Sequence, residues 1–123
     1  MQASKIALET NKYCIKLYNK YYKIWYKGAH KAIKQGVKKG RSVITYIVDS
    51  IDIDYNLRLS INKAVIEQLE KEGFYIRKYD LGFSIGFGHF IISWGNAIQH
   101  QKDLDKRHEE LYEQNVGGHD ENN

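Results

Sequence analysis

Lysines recur along the first third of the chain at positions 5, 12, 16, 20, 23, 27, 31, 34 and 38. From Lys12 onward the spacings are 4, 4, 3, 4, 4, 3 and 4, the rhythm of one face of an α-helix. At about 100° per residue, all nine project within an arc of roughly 100°. The opposite face carries Ala7, Cys14, Tyr18, Tyr21, Tyr22, Trp25, Ala29, Ala32 and Gly36. Residues 3–38 are therefore expected to form one long amphipathic helix, or two consecutive ones. The aromatic and small-residue face would bury against a sheet or another helix. Gly28 lies at the margin of that face and is a candidate break, whereas Gly36 lies on it and would allow close approach.

Beyond Gly40 the pattern changes. Ser42–Val48 (SVITYIV) is rich in β-branched residues and predicts a strand. Asp49–Asn56 reads as a turn in which Asp54 or Asn56 caps a helix running to Glu72. That helix shows Leu57, Ile61, Ala64, Val65 and Leu69 on one side, and Gly73 stops it. Phe74–Leu81 predicts a second strand, residues 82–88 a glycine-rich connection, and His89–Trp94 a third strand returning as an antiparallel hairpin. A polar helix follows from Gly95–Asn96 to about Gln114, with Ile98, Leu104, Leu111 and Tyr112 as sparse apolar contacts. The expected fold is α+β: a long N-terminal amphipathic helix, a small three-stranded sheet built from a β-α-β unit plus a hairpin, and a C-terminal helix. The first two strands would be parallel, joined by a right-handed crossover. The chain divides into a basic helical segment (1–41), a small α/β body with its C-terminal helix (42–114), and a disordered tail (115–123).

Composition narrows the classes. A chain of 123 residues with 42% hydrophobic side chains suits one globular domain. No apolar run is long enough to span a membrane, and the charged N-terminus lacks the apolar stretch of a signal peptide. A single cysteine, Cys14, excludes an internal disulfide or a cysteine-cluster metal site, so a reducing, cytoplasmic setting is expected.

Charge adds more. Residues 1–41 hold ten Lys and one Arg against Glu9 alone, a net +10, while residues 42–123 carry a net −6. A basic element on an acidic body points to a polyanion or an acidic partner, or to docking on the acidic part of the same fold or of a second copy.

Candidate chemistry is sparse. Asp49, Asp52 and Asp54 are spaced like part of a calcium loop but lack its glycine and terminal glutamate, so turn and cap roles are expected. Gly82, Gly86 and Gly88 match no phosphate-loop pattern. Between them, Phe83, Ile85 and Phe87 set three large apolar groups on a glycine-rich tip, which suits insertion into a partner or folding back over the core. His30, His89, His100, His108 and His119 form no metal motif, and Ser84 lacks a nucleophile context. Neither an enzyme nor a cofactor or metal is expected.

The run KGRSVITYIVDS, a helix ending LEKEGF, then YIRKYDLG and FIISWG resembles a pattern in small uncharacterised α/β accessory proteins of Gram-positive phages and prophages. The resemblance covers residues 38–95 and rests on Gly40, Gly73, Ser93 and Trp94. It implies a compact accessory protein that binds host machinery, including defence systems, and it assigns no functional residues.

The leading expectation is a non-catalytic binding protein engaging a polyanion or a nucleic-acid-handling host complex, inhibiting by occlusion where it inhibits. Its binding residues would be Lys12, Lys16, Lys20, Lys23, Lys27, Lys31, Lys34 and Lys38, with Phe83, Ile85 and Phe87. Two alternatives are a self-assembling structural module and a binder that sequesters a small nucleotide signal through basic groups and Tyr stacking. Self-association is expected in either case, because a three-stranded sheet leaves two edges.

Overall fold

The computed structural model describes residues 2–48, 51–77 and 89–121, with residues 114–121 as backbone alone. Its elements are α1 (Ala3–Lys38), β1 (Val43–Ile47), α2 (Tyr55–Lys71), β2 (Tyr75–Ile76), β3 (His89–Ser93) and α3 (Ala97–Glu121). The architecture is the expected α+β arrangement of three helices and a small sheet.

α1 is one continuous helix of 36 residues, about 54 Å long at 1.5 Å per residue. Gly28 does not break it. The absent side chain there serves packing instead, because a Cβ would collide with Tyr46 Oη. At Gly36 a Cβ would lie 2.7 Å from Ile44 Cγ2 and 3.3 Å from Trp94 Cη2. β1 thus lies close along the C-terminal half of α1.

Asp54 caps α2: its carboxylate accepts from the Asn56 and Leu57 backbone N–H groups at 3.0 and 3.3 Å. Gly73, at φ +97°, ends the helix as expected of a residue free to adopt left-handed backbone. The start of α2 lies beside Cys14–Asn19 and its end beside Tyr26 and His30, so α1 and α2 run in the same direction.

The sheet order is β1-β3-β2, and both neighbours are antiparallel to β3. Val43 and Tyr75 both pair with Ser93, one from each side. β1 and β2 therefore point the same way, as a β-α-β crossover requires, but they do not touch because β3 lies between them. The expected β2–β3 hairpin pairing is present. β2 comprises only Tyr75–Ile76. The remainder of the expected strand and the glycine-rich connection fall among residues 78–88, outside the described residues.

The core joins all layers. α1 supplies Trp25, Ala29 and Ile33, α2 supplies Ile61, Val65, Ile66 and Leu69, and the sheet supplies Ile76, Phe90 and Ile92. α3 packs on the sheet through polar side chains. Gln101 and Asp105 are buried, and Tyr75 donates a hydrogen bond to Asp105 Oδ2 at 2.5 Å. Burial of the phenol and this bond to a carboxylate both push the Tyr75 pKa up. Arg77 Nε adds an ion pair to Asp105 Oδ1 at 3.7 Å. Leu111 and Tyr112, expected as packing contacts, are exposed at 55% and 64%. The docking face of α3 is set by the polar groups Tyr75 and Arg77 present, which satisfy a carboxylate rather than a leucine. α3 also continues to Glu121, past the expected end at Gln114 and into the segment expected as a tail.

Candidate polyanion-binding face

The position of the lysine face follows from how α1 docks. Trp25, Ala29, Ile33 and Gly36 are its buried residues, all close to one side of the helix wheel. Burying that side turns the opposite side outward, and all nine lysines of the stripe are exposed. Glu9 is the one acid within α1. From Lys5 to Lys38 the stripe extends roughly 50 Å along the axis. Two of its ammonium groups sit over neighbouring rings: Lys16 Nζ is 5.7 Å from the Tyr13 centroid and Lys20 Nζ 5.2 Å from that of Tyr21. The structure therefore brings Lys12, Lys16, Lys20, Lys23, Lys27, Lys31, Lys34 and Lys38 onto one continuous surface. Phe83, Ile85 and Phe87, the other expected contact residues, lie outside the described residues.

Between the lysine face and the core runs an aromatic flank. Tyr18, Tyr22 and Tyr26 stack at successive helical turns, with centroids 6.3 and 6.0 Å apart and rings within 6° and 5° of parallel. The series continues edge-on through His30, Phe74 and Trp94. These rings are half-buried and lean on the body.

At the middle of this flank Glu72 joins α1 to the end of α2. Tyr26 donates to Glu72 Oε2 at 2.5 Å, and His30 Nε2 to Oε1 at 2.6 Å. Gln68 Nε2 donates to Oε2 at 3.1 Å. Desolvation pushes the Glu72 carboxyl up, but the hydrogen bonds from Tyr26, Gln68 and His30 together outweigh it and hold its pKa below the usual value. The bond to this carboxylate, then desolvation, raises the Tyr26 phenol to about 12. No nucleophile adjoins this Tyr–His–Glu cluster among the contacts described, and its geometry suits a clasp between two helices.

The sequence reading missed this cluster. Tyr26 and His30 were separable as an i, i+4 pair on the flank, but Glu72 lies 42 residues from His30 and gives no local signal. It also omitted Ile33, whose position on the wheel falls inside the buried arc. Among the described residues no three His, Cys, Asp or Glu side chains gather as metal ligands. Nor is any helix there long and apolar enough to cross a membrane. No protein-family model, curated protein or solved structure shows significant similarity to the chain.

Proposed function

We propose that the protein is a non-catalytic binding protein whose α1 lysine face docks a polyanion, with duplex nucleic acid the best fit, bare or carried by a host complex. One observation supports this above the others: nine exposed lysines on the face opposite the core, with Glu9 alone among them. Like charges at i, i+4 repel by a few tenths of a kcal/mol each, so the stripe costs the helix stability that an external anion would return. A straight rod of roughly 50 Å cannot follow a curved groove along its whole length. We take about five phosphates as the number it neutralises. In the phage-accessory setting that residues 38–95 resemble, such a surface acts by covering the nucleic acid that a host complex has to reach.

The test is binding to a labelled duplex across a salt series. About five phosphates give a slope of log K against log salt near −4.5. Replacing Lys16, Lys23 and Lys27 with Glu should flatten the slope and weaken binding equally for unrelated sequences. The helix content should not change, since all three side chains are exposed. A wild-type protein that ignores duplex at low salt, or a triple variant with the same slope, sinks the reading.

A further inference from the structure

α1 is longer than the body it packs on. Its residues 3–13 lie beyond the start of α2, a projection of about 16 Å, and every one of them is exposed. Yet this arm is not polar throughout. Within it Ile6, Leu8 and Tyr13 are exposed at 43%, 63% and 64%, and Ile15 just after it at 62%. Leu8 and Ile15 continue the packing side of α1 past the start of α2. They lead into an open groove of about 350 Å³ lined by Cys14, Ile15, Tyr18, Asn19, Leu57 and Ser60. Lys5 and Lys12 border Leu8.

The other end of the chain has the opposite character. α3 extends past Asp105, its last buried residue among those described, and presents exposed Leu111 and Tyr112 between exposed Glu109, Glu110 and Glu113. From residue 108 to 121 the sequence holds five acids and neither Lys nor Arg. Each overhang has the charge that its own helix dipole disfavours: α1 begins with no acid in its first turn, and α3 ends on acids. Lys5 and Lys12 against Glu9 leave the arm at net +1, opposite in sign to the acidic end of α3, and both overhangs offer apolar side chains that the body leaves uncovered.

We infer that the arm of α1 receives the acidic end of α3 from a second copy of this chain, which lies along Leu8 and Ile15 toward the groove beside Leu57. The contact is reciprocal, each copy giving one arm and one α3 end, so that a closed two-fold dimer forms. Reciprocity matters because one contact of two or three helical turns is small beside the roughly 1,200–2,000 Å² of a stable interface, and two make up more of it. The contact takes up Lys5 and Lys12 at the start of the lysine stripe, while Lys16 to Lys38 point away from the groove and stay available. The dimer does not depend on the polyanion reading.

Sedimentation velocity of the full chain, without nucleic acid, tests this. The wild-type protein should be dimeric at about 50 μM, a concentration at which micromolar affinity suffices. Lys5→Glu with Lys12→Glu, and separately Glu110→Lys with Glu113→Lys, should each weaken dimerisation by about tenfold or more. Mixing the two variants in equal amounts should restore it, because the reversed arm then meets the reversed α3 end. All four positions are exposed, and circular dichroism would verify that the helices persist. A monomeric wild-type protein, a dimer indifferent to both reversals, or a mixture that fails to recover would overturn the pairing.

Discussion

Two glycines of α1 show how a single missing methyl sets the packing. At Gly36 a side chain would press on Ile44 Cγ2 and the Trp94 ring, both held between helix and sheet. Overpacking of this kind costs about 1–3 kcal/mol, against about 1 kcal/mol gained from placing alanine in a helix. Gly36→Ala should therefore lower stability by about 1 kcal/mol, or about 4 °C in Tm by thermal unfolding. At Gly28 the obstacle is the hydroxyl tip of Tyr46, the far end of a side chain that can tilt. Gly28→Ala should cost less than Gly36→Ala, and equal costs would contradict the account. The sequence showed Gly36 on the packing face, because helical spacing alone places it there. It showed Gly28 at the margin and no more, since its neighbour Tyr46 arrives from another element.

Between elements, the clasp of Tyr26, His30 and Glu72 ties α1 to the end of α2, and its pH dependence has a definite sign. Glu72 has a lowered pKa in the folded chain, so its contribution is complete above the ordinary carboxylate value of 4.5 and disappears as pH falls through the lowered one. Tyr26 is raised from 10.0 to about 12, so its contribution is complete below pH 10 and lost as pH rises through about 12. Glu72→Gln should cost about 1 kcal/mol near neutrality by urea unfolding. The gap to wild type should narrow on both the acid and the alkaline side. Spectrophotometric titration should show one phenol moving from about 12 toward the ordinary range in the variant. A gap independent of pH would mean that the carboxylate does not hold the helices.

The same scale explains what the sequence revealed of the sheet. Strand and helix identities were legible because β-branched runs, the Asp54 cap and Gly73 act locally. Strand order was not, since a hydrophobic pattern says which face is buried and not which neighbour pairs. One signal was present: HFIIS has apolar residues in both parities, and its Phe90, Ile92 and Ser93 are almost fully buried. That pattern fits a central strand covered on both faces. The polar docking of α3 through Asp105 had no such signal, because Tyr75 and Arg77 meet it only in the folded chain.

Across the whole molecule, a basic rod and an acidic helix each outrun the body that anchors them, and their behaviour in dilute solution follows from that. A helical segment without tertiary packing is marginal in water. In the isolated monomer, residues 3–13 should fray and exchange their amide hydrogens rapidly. The body amides around Ile61–Leu69 and Phe90–Ile92 should exchange slowly, limited by unfolding of the core. Raising the concentration from about 1 μM to about 100 μM should then protect residues 3–13 and 109–121 together, because association stabilises by mass action only what it covers. Adding duplex to the dilute protein at low salt should protect α1 alone, since the lysine face is on α1 and the acidic end of α3 repels phosphate. Hydrogen exchange read by mass spectrometry separates the two events. Arm amides that are protected at every concentration would mean the projecting helix is stable alone and has no need of a second copy. Arm and α3 amides that respond separately to concentration would break the reciprocal contact while leaving the lysine face to be judged by its salt slope.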